Sequence, residues 1–223
     1  EFWDWITSLG VRQANLRVRK HSKEELSHYS SETWDIEYNY PAWGFKELMG
    51  IADRGTFDLT QHAKHSKKDY SVFDEASKQK VVPRVIEPSI GLDRLVLTLI
   101  VDAFSEKKSD DGVKTVLSLS PCVSPIQVCV FPLMKKDGLA QKAREVFELL
   151  RRELACEYDE SGSIGKRYAR ADEVGTPFCL TIDYDSLEKN DVTIRFRDSG
   201  KQERIKIIEL VEKVRSLVNG ARG

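Results

Sequence analysis

The order of hydrophobic and polar residues predicts β-strands in both halves of the chain. Residues 34–38 alternate between large apolar and polar side chains, which is the period of a strand with one buried face, and residues 192–197 repeat this pattern. A further strand is predicted at Phe45–Ile51. Short apolar runs at Ile126–Phe131 and Phe178–Ile182 are typical of buried strands.

Longer apolar patterns predict helices. The run Leu92–Phe104 is mostly apolar and contains no glycine or proline, so we expect a buried helix. Apolar residues fall on one helical face at residues 139–154 and again at residues 207–218, which predicts two amphipathic helices. A shorter helix is expected at Asp58–Lys64, and Ser22–Glu25 has the spacing of a capping box at a helix start.

Polar stretches separate these elements and indicate a domain boundary. Residues 64–80 and 105–114 carry many charges and few apolar side chains, as exposed loops do. Because the character of the sequence changes after the proline-containing segment 121–125, we predict one domain at residues 1–123 and another at residues 124–223. The second has the order strand, helix, strands, helix, which indicates a compact α/β domain.

The overall composition is that of an ordinary folded protein. Of the 223 residues, 40% are hydrophobic and 32% are charged, which argues against a disordered chain. The 35 basic and 36 acidic residues leave a net charge of −1, which does not indicate a strongly basic nucleic-acid binder. A local basic face is compatible with this net charge. No apolar run reaches the roughly 18 residues of a membrane span, and the first residues have no secretory pattern. We therefore expect a cytoplasmic protein without a membrane partner.

The four cysteines do not form a metal-binding pattern. Cys122, Cys129, Cys156 and Cys179 include no C-x-x-C pair, and no histidine stands at zinc-finger spacing from them. We expect them to be reduced thiols in the core of an intracellular protein, and we predict no metal site built by the protein alone.

The stretch from Glu87 to Arg94 combines residues that suit charged ligands. In Glu87-Pro88-Ser89 a carboxylate stands beside a hydroxyl, a combination that suits an ammonium group. Arg94 falls in the first turn of the predicted helix, where the helix dipole disfavours a cation. It is better suited there to join the backbone amides in holding a phosphate. On residue types alone, a capping glutamate and a surface arginine are the simpler explanation.

Longer motifs place this stretch in a family. Residues 85–94, with Val81-Val82-Pro83 ahead of them, resemble the third signature motif of class II aminoacyl-tRNA synthetases, in the form used by homodimeric glycyl-tRNA synthetases. Other stretches resemble the segment after that family's second motif and its anticodon-binding domain. In chain order they are residues 16–21, 44–54, 57–62, 161–170 and 172–175. The similarity therefore covers nearly the whole chain, although the family's first two motifs have no match in it.

The resemblance implies both a fold and an activity. The fold is α/β (α+β): the C-terminal part of an antiparallel class II catalytic domain, followed by a small mixed-sheet anticodon-binding domain. The activity is ligation of glycine to tRNA(Gly), with ATP as substrate and Mg²⁺ as cofactor, in an enzyme expected to be a homodimer. A mitochondrial location is an alternative to the cytoplasm. The rival interpretation is a catalytically inactive, synthetase-like accessory protein that binds nucleic acid, whereas a stand-alone tRNA-binding module would leave residues 1–123 unexplained.

The resemblance also assigns residues to glycine and ATP. Glu87 and Ser89 are expected to hold the α-ammonium of glycine, with Pro88 shaping a pocket too small for a side chain. A contact between a carboxylate and an ammonium is charge-assisted and therefore strong. Arg94 is the expected catalytic residue, and it is expected to contact the ATP phosphates with its planar guanidinium.

Two further pairs of residues are expected near this site. By resemblance, Glu47 and Leu48 match the segment that contacts ATP, and Glu47 is expected to reach it through Mg²⁺. A solvated strand glutamate is the alternative for Glu47. From the residues alone, Asp53 and Arg54, just beyond that strand, are expected to form a buried ion pair that braces the site, and a catalytic role is the alternative for them.

A basic cluster in the second half is the candidate tRNA contact. Lys166, Arg167 and Arg170 follow a Ser-Gly-Ser turn, with Tyr168 among them. Basic side chains beside an aromatic ring suit phosphate contacts and base stacking in single-stranded RNA. A solvated helix face is an equal alternative.

Overall fold

The computed structural model describes residues 1–109 and 112–220. Two compact units divide the chain, one of Arg12–Thr98 and one that combines Glu1–Val11 with Leu99–Gly223. The mixture of helices with antiparallel and mixed sheets confirms the predicted α/β (α+β) class. In chain order the elements are α1 (Phe2–Ser8), a 3-10 turn (Gln13–Asn15), β1 (Leu16–Lys20), β2 (Glu32–Tyr40), β3 (Gly44–Asp53), α2 (Phe57–Ser66), β4 (Val72–Asp74), β5 (Gln79–Val81), β6 (Ile86–Ile90), α3 (Leu92–Ala103), β7 (Phe104–Ser109), β8 (Gly112–Leu117), β9 (Val128–Pro132), α4 (Leu139–Leu150), β10 (Cys156–Tyr158), α5 (Ile164–Val174), β11 (Phe178–Ile182), α6 (Tyr184–Lys189), β12 (Asp191–Phe196), β13 (Gln202–Lys206) and α7 (Ile207–Gly220).

The unit Arg12–Thr98 is built on a four-stranded antiparallel sheet in the order β1-β2-β3-β6. The strands predicted at residues 34–38 and 45–51 are confirmed as the central parts of β2 and β3. Tyr38 and Tyr40 are buried, and the hydroxyl of Tyr40 lies 2.6 Å from Oγ1 of Thr98. This contact joins the sheet to the middle of α3.

Two predictions for this unit need correction. The segment at Ser22 is a turn and not a helix: the Glu25 carboxylate accepts a hydrogen bond from the Ser22 amide at 2.9 Å, but the chain then continues in turns to β2. Residues 64–80 are not a simple loop, because they contain the end of α2 and the hairpin of β4 and β5. α2 itself confirms the short helix predicted at Asp58–Lys64.

The helix predicted at Leu92–Phe104 is present as α3, but it is only half-buried. Leu95 and Thr98 are buried, whereas Leu92 is 71% exposed and Val96 is also exposed. The predicted helix is therefore confirmed, but it is buried on one face only, because the length of an apolar run does not show which surfaces cover it.

The second unit contains a five-stranded mixed sheet in the order β10-β9-β11-β12-β13. β9 runs parallel to β10 and β11, and every residue of β9 and β11 is buried. Side chains from α4 and α7 pack with one face of the sheet, whereas Ala171 of α5 packs with Cys129, Phe131 and Cys179 of the other face. Elements on both faces explain why the sequences of β9 and β11 are almost entirely apolar. The structure confirms the strands predicted at residues 126–131, 178–182 and 192–197 and the helices predicted at residues 139–154 and 207–218.

The loop predicted at residues 105–114 is instead a hairpin of β7 and β8, in which Phe104 pairs with Leu117. Residues 110 and 111 of this predicted loop lie outside the residues that the structure describes. All four cysteines are free, and burial raises the pKa of the Cys129 thiol to about 12. None of the helices in residues 1–109 and 112–220 has the length and apolar character needed to cross a membrane.

Candidate active site and RNA-binding face

Glu87-Pro88-Ser89 lies on β6, an edge strand of the antiparallel sheet. The pairing places Glu87 opposite Ala52 of β3 and Ser89 opposite Gly50. An edge strand tolerates Pro88, since proline has no amide hydrogen to donate to a neighbouring strand. Glu87 and Ser89 are two positions apart and therefore point to the same side of the sheet. Both are exposed, as contact with one shared ligand requires.

Arg54 is the direct partner of Glu87. Its NH1 donates to Oε2 of Glu87 at 2.7 Å, while its Nε and NH2 donate to the two oxygens of Asp58 at 2.5 and 2.7 Å. The guanidinium also lies 4.2 Å from the centre of the Tyr29 ring. Hydrogen bonding to Asp58, and then to Glu87, outweighs partial burial and raises the pKa of Arg54. Arg54 therefore stays charged and fixes one oxygen of the Glu87 carboxylate.

The ion pair predicted between Asp53 and Arg54 is wrong. Successive residues of a strand point to opposite faces, so the two side chains diverge at the end of β3. The Asp53 carboxylate binds Arg84 and accepts a hydrogen bond from the amide of Gly55 at 2.9 Å. Arg54 braces the site as expected, but through Asp58 and Glu87.

Arg94 and Glu47 line a groove at the start of α3. The groove is bounded by Glu47, Leu97 and the segment Gly91–Arg94. Arg94 lies in the first turn of α3, as predicted, and its NH1 donates to the backbone oxygen of Glu47 at 2.6 Å. A helix N-terminus and a guanidinium at one groove form an environment that favours an anion.

A β-bulge in β3 determines how Glu47 and Leu48 are presented. Ile36 pairs with Met49 but Glu37 pairs with Glu47, so Leu48 is the additional residue. The side chains of Leu48 and Met49 are both buried, whereas Glu47 is exposed to the groove. Bulges commonly redirect side chains beside functional sites. Of the two residues predicted to contact ATP, Glu47 offers its side chain and Leu48 only its backbone.

The sequence did not identify two buried carboxylates on the same sheet. Asp35 and Glu37 of β2 are 3% and 6% exposed. Oδ2 of Asp35 lies 2.7 Å from Nε2 of His21, and Glu37 accepts hydrogen bonds from Nε of Arg17 at 2.5 Å and from Nε of Arg19 at 3.1 Å. Buried carboxylates need such partners. The available signal was the alternation of basic residues along β1 opposite acidic residues along β2.

Gly50 leaves a small space beside two carboxylates. A β-carbon placed on Gly50 would lie 3.3 Å from Oε1 of Glu47 and 3.7 Å from Oδ1 of Asp35. Since Gly50 is paired with Ser89, this space adjoins the residues assigned to glycine. Two carboxylate oxygens that converge on one point favour a cation.

The three residues of the predicted basic cluster all lie on α5, but in different surroundings. Lys166 and Arg170 are exposed, whereas Arg167 is 3% exposed. Arg170 binds the carboxylate of Asp159 and donates to the backbone oxygen of Ser161 at 2.7 Å. The exposed part of the cluster therefore consists of Lys166 and Arg170.

Arg167 connects α5 to the end of β9. Its NH1 donates to the backbone oxygen of Pro132 at 2.6 Å, and its guanidinium carbon lies 5.6 Å from the centre of the Phe131 ring. Burial lowers the pKa of Arg167. The phosphate contact predicted for Arg167 requires an exposed guanidinium, and this one is enclosed. Tyr168 is also engaged, since its hydroxyl lies 2.6 Å from Oγ1 of Thr181.

Comparison with known proteins gives a match to a family model and matches to curated relatives. Residues 127–217 match the HGTP_anticodon family, which is described as an anticodon binding domain. The chain is 51% identical over 217 residues to the glycine–tRNA ligase of Acetivibrio thermocellus, covering 95% of this chain and 46% of that protein. It is 48% identical over 220 residues to the glycine–tRNA ligase of Treponema denticola, covering 96% of this chain and 49% of that protein. The chain thus spans about half the length of the curated relatives that it matches.

Proposed function

Because this chain is 48–51% identical to glycine–tRNA ligases over nearly its whole length, we propose that it belongs to that family and supplies the third motif of the active site and the anticodon-binding domain of such a ligase. In that reaction, ATP and glycine give glycyl-adenylate and pyrophosphate, and the glycyl group then passes to the 3′-terminal ribose of tRNA(Gly). One observation carries the proposal: Arg94 is hydrogen-bonded to the backbone of Glu47 at a groove on the same sheet as Glu87 and Ser89. The division of the chain at residues 1–123 and 124–223 belongs to the same proposal.

Glu87 and Ser89 bind the α-ammonium of glycine. A carboxylate accepts several hydrogen bonds, so Oε1 of Glu87 is available to an ammonium while Oε2 holds Arg54. The hydroxyl of Ser89, on the same side of the strand, accepts another hydrogen bond from the ammonium. Pro88 keeps the backbone between the two residues rigid, and this rigidity fixes the spacing of the two acceptors.

Arg94 and the first turn of α3 bind the ATP phosphates. The glycine carboxylate attacks the α-phosphorus in line with the leaving pyrophosphate, and negative charge builds up on the phosphate oxygens. A planar guanidinium held in place by the backbone of Glu47 neutralises this charge without having to reorganise. Leu48 contacts ATP through its backbone. Catalysis arises from positioning and from charge stabilisation.

The residues around Gly50 fit a magnesium ion. Mg²⁺ is commonly held by one or two carboxylates together with substrate phosphates, and Glu47 and Asp35 each have one oxygen close to this space. These two carboxylates would hold the ion, which would supply neutralisation of phosphate charge. Asp35 keeps its position because its other oxygen is bound to His21.

The five-stranded unit binds the anticodon arm of tRNA(Gly). Lys166 and Arg170 are the exposed basic residues of α5 and are suited to phosphate contacts. The complete ligase acts as a homodimer in the cytoplasm. The rival function, an inactive synthetase-like protein that binds nucleic acid, shares this RNA-binding surface and differs only in the chemistry at Arg94.

A chimera separates these two functions. Residues 1–223 replace the matching segment of the Acetivibrio thermocellus ligase, and glycine-dependent exchange of pyrophosphate into ATP is measured. The proposal predicts exchange in the chimera, a loss of about 10²- to 10³-fold in Arg94→Ala, and partial recovery in Arg94→Lys, since an ammonium lacks the bidentate fork. A folded chimera that binds tRNA(Gly) without exchanging pyrophosphate would support the rival.

A further inference from the structure

A glycine lies in the middle of β3, where it weakens the strand. Gly50 pairs with Asp35 of β2 on one side and with Ser89 of β6 on the other. A glycine inside a strand loses more backbone entropy on folding than any other residue and contributes no side chain to packing. Such a glycine commonly marks a bulge or a point where a ligand approaches the backbone closely. The bulge of β3 lies at Leu48, so Gly50 needs another explanation.

The fold itself does not require glycine at this position. Gly175 shows what such a requirement involves: its φ is +87°, and an added β-carbon would lie 2.9 Å from Cδ1 of Leu119 and 3.0 Å from the backbone oxygen of Leu117. Gly50 has no left-handed φ, and the atoms nearest to its added β-carbon are two carboxylate oxygens instead of backbone. One of them, Oε1 of Glu47, ends an exposed and flexible side chain. Alanine is therefore compatible with the local structure.

The space that a β-carbon would fill at Gly50 is bordered by negative charge. The point lies 3.3 Å from Oε1 of Glu47 and 3.7 Å from Oδ1 of Asp35, and apart from chain neighbours these are the heavy atoms within 4 Å of it among the described residues. Asp35 is held in this orientation, because its other oxygen lies 2.7 Å from Nε2 of His21. A methyl group at this point would occupy the volume next to both oxygens that a bound cation and its water molecules need.

We propose that position 50 is a glycine because the missing side chain keeps open the space in which Asp35 and Glu47 hold a divalent cation. The inference rests on the proposed function and adds a third residue to the metal site: the two carboxylates supply charge, and Gly50 supplies room. Mg²⁺ keeps several of its water molecules and demands near-ideal octahedral geometry, so its site tolerates little crowding. The glycine makes the sheet less stable and lets the site bind the ion more tightly.

The first test measures metal binding and stability in the intact chain, with Mn²⁺ as the probe. Free Mn²⁺ is quantified by electron paramagnetic resonance with Mg²⁺ as the competitor, and thermal unfolding is followed by circular dichroism. Gly50→Ala should weaken Mn²⁺ binding by about 10- to 100-fold, a range typical of changes next to metal ligands. Its unfolding temperature should stay equal or rise, because alanine loses less backbone entropy than glycine. A glycine kept for the fold predicts the opposite, a lowered unfolding temperature.

Two further variants identify the site and control for the substitution. Glu47→Gln removes one of the two charges and should abolish the same Mn²⁺ binding. Gly165→Ala is the matched control: beyond its chain neighbours and the backbone of α5, no described atom lies within 4 Å of a β-carbon on Gly165, so this variant should bind Mn²⁺ as the wild type does. In the chimera, Gly50→Ala should raise the Mg²⁺ concentration needed for half-maximal pyrophosphate exchange by the same factor, while the KM for glycine changes little. This measurement separates Mg²⁺ from the ammonium of glycine as the cation next to Gly50.

Three results would overturn the inference. The first is Mn²⁺ binding in Gly50→Ala as tight as in the wild type, and the second is a lowered unfolding temperature in that variant. The third is an increased KM for glycine with an unchanged Mg²⁺ requirement, which would place the ammonium of glycine in this space. An intact chain whose Mn²⁺ binding does not depend on Glu47 overturns this inference alone if the chimera exchanges pyrophosphate. A folded chimera without exchange overturns the proposed function as well.

Discussion

The two units use the arginine side chain in two ways. The unit Arg12–Thr98 contains Arg54 and Arg94, and the unit with the five-stranded sheet contains Arg167 and Arg197. The first two border the candidate active site, and Arg54 holds the exposed Glu87. The other two are 3% and 6% exposed and donate hydrogen bonds to backbone oxygens, Arg197 to that of Gly175 at 2.7 Å. Burial decides the role, because an enclosed guanidinium is not accessible to a ligand.

The two sheets differ in the same way. In the five-stranded sheet both faces are covered by apolar side chains, so its strands contribute stability. In the antiparallel sheet, one row of positions carries Arg19, Asp35, Gly50 and Ser89 across four strands. This polar row contributes little hydrophobic stabilisation and lies at the candidate active site instead.

The largest stability difference is expected between a core position and an exposed strand position. Leu180 of β11 is fully buried, so Leu180→Ala should lower the free energy of unfolding by about 2–5 kcal/mol. Val18 of β1 is 53% exposed, and Val18→Ala should change it by less than about 0.5 kcal/mol. Urea denaturation followed by circular dichroism measures both. Equal losses in the two variants would contradict the difference drawn between the sheets.

The contrast between buried and exposed arginines is tested on α5. Arg167→Leu leaves the backbone oxygen of Pro132 without its donor and should destabilise the protein by about 1–3 kcal/mol. Arg170→Gln removes an exposed ion pair and should cost less than about 1 kcal/mol. Only Arg170→Gln should flatten the salt dependence of anticodon stem-loop binding, by a little under one unit. A flatter slope in folded Arg167→Leu would mean that Arg167 contacts RNA after all.

A smaller, pH-dependent effect is expected at Asp183, the N-cap of α6. Burial alone would raise the pKa of Asp183, but hydrogen bonds from Arg204 at 2.6 Å and from the Ser186 amide at 3.1 Å lower it overall. A carboxyl group with a lowered folded-state pKa stabilises the protein above its unfolded value of about 3.9 and loses this effect as the pH falls through the folded-state pKa.

Asp183→Asn retains a capping side chain but loses the charge. The variant should therefore be less stable than the wild type by about 0.5–1 kcal/mol at pH 7, and the difference should vanish by about pH 2. Thermal denaturation at several pH values measures it, with Asp185→Asn, at a more exposed partner of Arg204, as the control. A difference that is constant with pH would show that the charge of Asp183 is not responsible.

The sequence predicted elements best where a regular pattern coincides with real burial. The bounds of β11 match the prediction because all five residues are enclosed and four of them are apolar. The hairpin of β7 and β8 was missed because its residues are mostly polar and exposed, so no period of two appears. Trp34 is exposed although it lies on the same predicted strand face as the buried Ile36. The sequence does not show which part of a sheet face is left uncovered by other elements.

The candidate site was predictable as a motif but not as a network. The resemblance at residues 85–94 agrees with the 51% identity to a glycine–tRNA ligase. The structure places Glu47 and Arg94 in direct contact, which neither spacing nor composition indicates. The partners of Asp53 and Arg54 depend on α2 and on Arg84, which are distant in sequence. The burial of Asp35 and Glu37 likewise depends on basic residues of another strand.

The central claim is that Glu87 binds the ammonium of glycine, and Glu87→Gln in the chimera tests it most directly. Loss of a charged hydrogen-bond partner costs about 1.5–3 kcal/mol, so the KM for glycine in pyrophosphate exchange should rise by about 10- to 150-fold while the KM for ATP changes little. Asp58→Asn, which removes the other carboxylate partner of Arg54, controls for disturbance of that arginine and should leave the KM for glycine within about threefold. Equal increases in both KM values for Glu87→Gln, or a matching increase for glycine in Asp58→Asn, would contradict the account.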